Sequence, residues 1–128
     1  MDITPEDKMK YKPLYVRTAR AYINDMQQQI AILLKEPHNT EAIGIIHMAA
    51  HSLGSQSLVM GYSSIGELAR LIEKIFRAKK DTRETIESEI LASINVCVKR
   101  MIVSLYEIEK TGEELALTTE IKQLTSLL

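Results

Sequence analysis

Apolar residues recur along most of this chain at alternating steps of three and four, the period of helices that bury one face. The first such stripe is Ala19, Ile23, Met26, Ile30 and Leu33, opposite a polar face of Arg17, Arg20, Asn24, Gln27 and Gln28. It predicts a firm helix from about Pro13 to Lys35, ended by Pro37, His38 and Asn39. Ahead of it, Thr4 can cap a turn that starts at Pro5, and Pro13 can begin a second piece, so a frayed or kinked first turn is expected. A second helix, capped by Asn39 or Thr40, buries Ile43, Ile46, Ala49 or Ala50, and Leu53. It runs to about Val59 and stops at Gly61, which suits a left-handed closing position.

Ser64 followed by Glu67 reads as a capping box that opens a third helix. That helix buries Leu68, Leu71, Ile72 and Ile75 and ends in the basic run Lys79, Lys80. Asp81 or Thr82 then caps a long fourth helix to about Lys110, with the stripe Ile86, Ile90, Ile94, Cys97, Met101, Leu105 and Ile108. Gly112 punctuates, and Thr118 or Thr119 starts a short closing helix through Leu124, Leu127 and Leu128. Four long amphipathic helices with short links predict an all-α fold, an antiparallel four-helix bundle with a short additional C-terminal helix. A single domain over residues 1–128 is expected.

Composition narrows the function classes. A formal net charge of -1 argues against a general nucleic-acid binder. The apolar runs are far too short for a membrane span, and the charged segment Met1 to Tyr11 does not resemble an export signal. Cys97, the single cysteine, lies in an apolar stripe and reads as a small core residue. With no internal disulfide to form, the chain is expected in a reducing, cytoplasmic compartment.

The chemistry concentrates in residues 42–73, AIGIIHMAAHSLGSQSLVMGYSSIGELARLIE. With Ile46 and Leu53 facing inward, a rotation of roughly 100° per residue turns His51 about 140° away from the core. Its flank also carries Gly44, His47, Gly54, Ser55 and Leu58. A glycine inside an exposed helix costs about 1 kcal/mol relative to alanine, so Gly54 suggests close approach by something. Folding the hairpin about residue 62 pairs positions whose numbers sum to about 124. His51 then lies beside Glu73, Gly54 beside Arg70, Leu58 beside Gly66 and His47 beside Arg77. Glu73 is also about 140° off its helix's core direction, so His51 and Glu73 are expected to meet on one outer flank. An i,i+4 pair of Glu73 with Arg77 is compatible with this. A carboxylate on Nδ1–H fixes the tautomer of a histidine and leaves Nε2 with a free lone pair, the arrangement of a nucleophile.

The stretch AAHSLGSQSLVMG resembles the signature of histidine phosphotransfer (HPt) domains, with His51, Ser52, Leu53, Ser57 and Gly61 in matching positions. With IGELARLIEKIF following, and Glu73 where the family has its histidine-pairing glutamate, the chain is most similar to the phosphoacceptor domain of CheA-type chemotaxis kinases. The resemblance covers nearly the whole chain. It implies a non-catalytic carrier of a two-component phosphorelay that needs no cofactor. A histidine kinase's ATP-binding domain would phosphorylate His51, and an aspartate of a response-regulator receiver domain would take the group away. Glu73 would orient His51, with His47, Gly54, Ser55 and Leu58 at the partner-docking surface. The family's Lys three positions after the His is Gly54 here, and the Gly after it is Ser55. Arg70, across from Gly54, is the candidate to supply that positive charge from the neighbouring helix. Two other readings remain: a degenerate helical adaptor that binds partners without phosphotransfer, and a metal site of His47, His51 and Glu73. Position 48 is Met, so the His-Glu-x-x-His metalloprotease motif is absent.

Overall fold

The computed structural model describes residues 2–128, and the described residues form five helices and no strand. The helices are α1 (Pro5–Lys35), α2 (Thr40–Val59), α3 (Ser63–Thr82), α4 (Ser88–Thr111) and α5 (Thr118–Thr125). α1 packs against α2 and α4, α2 against α3, and α3 against α4 and α5. The architecture is an all-α helical bundle of four long helices with a short fifth, as the apolar periodicity predicts. Its core contains the expected stripes: Ala19, Ile23, Met26, Ile30 and Leu33 of α1, then Ile43, Ile46, Ala49, Ala50 and Leu53 of α2. Leu68, Leu71, Ile72 and Ile75 of α3 and Ile94, Cys97, Met101, Leu105 and Ile108 of α4 belong to the same core, while Ile90 is only partly buried.

Four local expectations need correction, each for a physical reason. α1 does not break at Pro13: it is continuous from Pro5, with the Thr4 side chain accepting from the Asp7 N–H at 3.1 Å. Pro13 leaves only the Met9 carbonyl without its donor, and both residues lie on the exposed side, where water replaces the lost bond. The first turns are also tied down, with Lys8 Nζ 4.3 Å above the ring of buried Tyr62.

The Ser64–Glu67 capping box does not form. α3 begins at Ser63, and the carboxylate of Glu114 accepts from the Ser64 and Ile65 N–H groups at 3.0 and 2.9 Å. An anion from a loop 50 residues away satisfies the orphan donors and complements the helix dipole. α4 does not start at Asp81 or Thr82, which belong to α3; that helix closes at Arg83 in the left-handed conformation, φ 57°. α4 begins at Ser88, and Ile86 reaches the core from the connecting segment. The last helix ends at Thr125, leaving Leu127 and Leu128 outside it and exposed.

Candidate functional site

α2 and α3 form a tight hairpin because two glycines remove side chains from the contact. At Gly54 a Cβ would sit 3.2 Å from Arg70 Cγ and 3.6 Å from the Ala69 Cβ. At Gly66 a Cβ would sit 2.7 Å from Leu58 Cγ. These contacts are the expected pairings of Gly54 with Arg70 and Leu58 with Gly66. Gly61, with φ +80°, turns the chain between the two helices, a conformation that favours glycine. Gly44 has open space beside it and serves no such approach.

That register brings His51 and Glu73 together. His51 Nδ1–H donates to Glu73 Oε2 at 2.8 Å, the tautomer following from the carboxylate partner. The imidazole side chain is 53% exposed, whereas the Glu73 side chain is 6% exposed. Glu73 therefore does not share the open flank expected for it: it lies at the floor of the site, beneath the hairpin's surface. Arg77 donates to the same Oε2 at 2.6 Å, and His47 Nε2 stands 3.9 Å from it.

Burial pushes the Glu73 carboxyl towards its neutral form. The hydrogen bond from His51 and the electrostatic pull of His51, Arg77 and His47 outweigh that push, so its pKa lies below the usual value. His47 is shifted the other way. Burial first, and then the Lys80 charge, lowers its pKa against the opposing pull of Glu73, with Arg77 and His51 adding to the lowering. Both of its ring nitrogens are buried without a hydrogen-bond partner.

The residues expected at a docking surface separate into two kinds. Leu58 is exposed and Ser55 half-buried, but Gly54 faces α3 and what approaches it is the Arg70 stem. His47 is half-buried with its nitrogens turned away from water. Arg70 is exposed, one helical turn along from His51 across the hairpin. Among the described residues no group of three or more His, Cys, Asp and Glu side chains could hold a metal ion. The sequence reading missed that Arg77 and His51 share one carboxylate oxygen. It also missed a cleft of about 380 Å³ between α1 and α2, lined by Tyr11, Leu14, Ser55 and Val59 among others. The signal for the cleft was present: Leu14 and Val59 are apolar residues outside either helix's core stripe.

Chemically, the arrangement holds an exposed imidazole with one nitrogen committed to a buried carboxylate and the other free. Nε2 therefore carries its lone pair outward, where an electrophile can reach it.

Residues 11–126 match the family model described as "Hpt domain". Among curated proteins, the chain is similar to the "Chemotaxis protein CheA" of Bacillus subtilis (strain 168), 24% identical over 85 residues, which is 66% of this chain and 13% of that protein. It is likewise similar to the "Chemotaxis protein CheA" of Listeria monocytogenes, 20% identical over 100 residues, 78% of this chain and 16% of that protein. The chain thus spans a small fraction of the length of these relatives. No solved structure gives a significant match.

Proposed function

The chain belongs to the Hpt domain family, the histidine phosphotransfer carriers of two-component signalling, and on that premise we propose that His51 carries its phosphoryl group. The observation that supports this is the bond from His51 Nδ1–H to buried Glu73, which leaves Nε2 of an exposed ring as a nucleophile. In the loading step the Nε2 lone pair forms the N–P bond as the bond between the γ-phosphorus and its bridging oxygen breaks, and ADP leaves. Nε2 has no proton to lose. The ring takes on positive charge as the N–P bond forms, and the Glu73 carboxylate at 2.8 Å balances it. In the unloading step a receiver-domain aspartate oxygen attacks phosphorus, the N–P bond breaks, and the electron pair returns to Nε2.

The phosphoryl donor in this reading is the ATP-binding domain of a CheA-type histidine kinase, and the acceptor is a response-regulator receiver domain. The pathway is chemotaxis-like, and the compartment is the cytoplasm, where ATP is available. No helix of the described residues is long and apolar enough to cross a membrane. Nucleic acid is not a partner this mechanism calls for. Arg70 supplies positive charge near the phosphoryl oxygens in place of the lysine that Gly54 replaces. Leu58 and Ser55 border the partner's footprint; Gly54 contributes by making room for the Arg70 stem, and His47 by lying beside Glu73. A binding-only adaptor has no use for a free nucleophilic nitrogen held by a buried carboxylate.

The test is incubation with a CheA-type kinase and ATP. Wild-type chain should gain phosphate that is acid-labile and base-stable, and His51→Gln should gain none. Because an exposed polar exchange usually changes stability by no more than about 0.5 kcal/mol, His51→Gln should melt as the wild type does. Phosphate retained by His51→Gln, or no phosphate on the wild type, sinks the assignment.

A further inference from the structure

Glu73 is bonded through a single oxygen to two side chains of different kinds. Oε2 accepts from His51 Nδ1–H at 2.8 Å and from the Arg77 guanidinium at 2.6 Å. An i,i+4 pair between two solvated side chains contributes little. Glu73 is not solvated, and a buried carboxylate that loses its partner takes up a proton or swings out of place. Arg77 is charged at every relevant pH, whereas an imidazole is not. His47 does not substitute for it. Its Nε2 is 3.9 Å from Oε2, beyond hydrogen-bond distance, and burial and the nearby Lys80 favour its neutral form. Among the described residues, the permanent cation hydrogen-bonded to Glu73 is therefore Arg77.

We propose that Arg77 is a positioning residue for phosphoryl transfer at His51: its bond to Oε2 keeps Glu73 ionised and aimed, and Glu73 in turn holds His51 in the Nδ1–H tautomer. The inference rests on the reading of His51 as phosphoacceptor. If Arg77 is removed, the carboxylate is neutralised or displaced, and the ring proton is free to exchange to Nε2. An Nε2 that carries the proton has no lone pair for phosphorus. Arg77 acts through Glu73, and its own side chain is exposed, so replacing it opens no core cavity.

The test compares wild type, Arg77→Met and Arg77→Lys by nitrogen-15 NMR of the His51 ring, at a pH where the ring is neutral, and by the rate of phosphate gain from a CheA-type kinase. Arg77→Met should move His51 from the Nδ1–H towards the Nε2–H form and slow phosphate gain by roughly tenfold. Arg77→Lys, which restores the charge, should recover most of both. Should Arg77→Met not fold, Arg77→Gln, which keeps a donor without the charge, is read the same way. A wild-type tautomer in the charge-free variant overturns the inference, even if melting changes, because Arg77 is then an ordinary ion pair. The spectrum requires no phosphate. A wild type that takes no phosphate on His51 defeats the phosphoacceptor reading instead, and the two failures are distinct.

Discussion

α2 makes a polar pairing on each of its flanks, and the two pairings have opposite characters. Towards α1, the hydroxyls of Tyr15 and Ser57 meet at 2.7 Å, both buried. Burial pushes the Tyr15 pKa far above the ordinary phenol range, so it remains a neutral hydroxyl. The pair is closed, since one hydroxyl donates to the other and neither faces water. Towards α3, His51 and Glu73 meet at a similar distance, but that pair is open. Its carboxylate gathers two donors on one oxygen, and its imidazole keeps one nitrogen in solvent. A closed polar pair specifies how helices pack. An open one with a buried anion beneath it specifies which ring nitrogen carries the proton.

The comparison breaks first at Glu73. Glu73→Ala should reduce the rate of phosphate gain by roughly ten- to a hundredfold while helicity is retained, because the tautomer is no longer held. An unchanged rate would make the open pair as purely structural as the closed one. Arg70→Ala should have a smaller effect, up to roughly tenfold on gain or loss of phosphate, since the role proposed for Arg70 is charge for the phosphoryl group and the nucleophile stays intact. Rates that match the wild type would reduce Arg70 to a solvated surface charge.

On the closed side the signs reverse. Tyr15→Phe leaves the Ser57 hydroxyl buried and unpaired, and should cost about 1–3 kcal/mol in denaturant unfolding. Phosphate gain at 25 °C should not change, provided the variant remains folded. A slowed transfer in that variant would mean the two flanks are coupled through α2.

The smallest effect is expected at His47, and it depends on pH. Its folded-state pKa lies below the ordinary 6.5, so as pH falls through 6.5 the unfolded chain takes up a proton that the folded chain refuses. Stability therefore declines on acidification from this group, and above about pH 7.5 the group contributes no slope. Glu73 acts lower: its depressed pKa supplies stability that is complete above the ordinary 4.5 and lost as pH falls through the folded value. Between 6.5 and about 5 the two are separable, and His47→Phe should flatten the decline in a series of melts there. An unaltered slope would mean that His47 is solvated enough to titrate normally.

Local spacing along the chain was enough for whatever belongs to short segments. Apolar steps of three and four placed the core stripes of all four long helices, because helical period and burial are properties of short segments. The meeting of His51 and Glu73 was legible for the same reason: Gly61 sets the turn, and two helices joined by three residues have little choice of register. Features that depend on residues far apart, or on depth, follow from the packing of the helices. The N-terminus of α3 is capped by Glu114, and no local pattern announces an acceptor 50 residues away. Pro13 stays inside α1 because contacts of its first turns, such as Lys8 with Tyr62, hold the segment in line. Angular position alone placed Glu73 on an open flank. Only the close approach of α2 and α3 across Gly54 and Gly66 sank its carboxylate below the surface, and that burial sets the Arg77–Glu73 pair apart from a solvated i,i+4 pair.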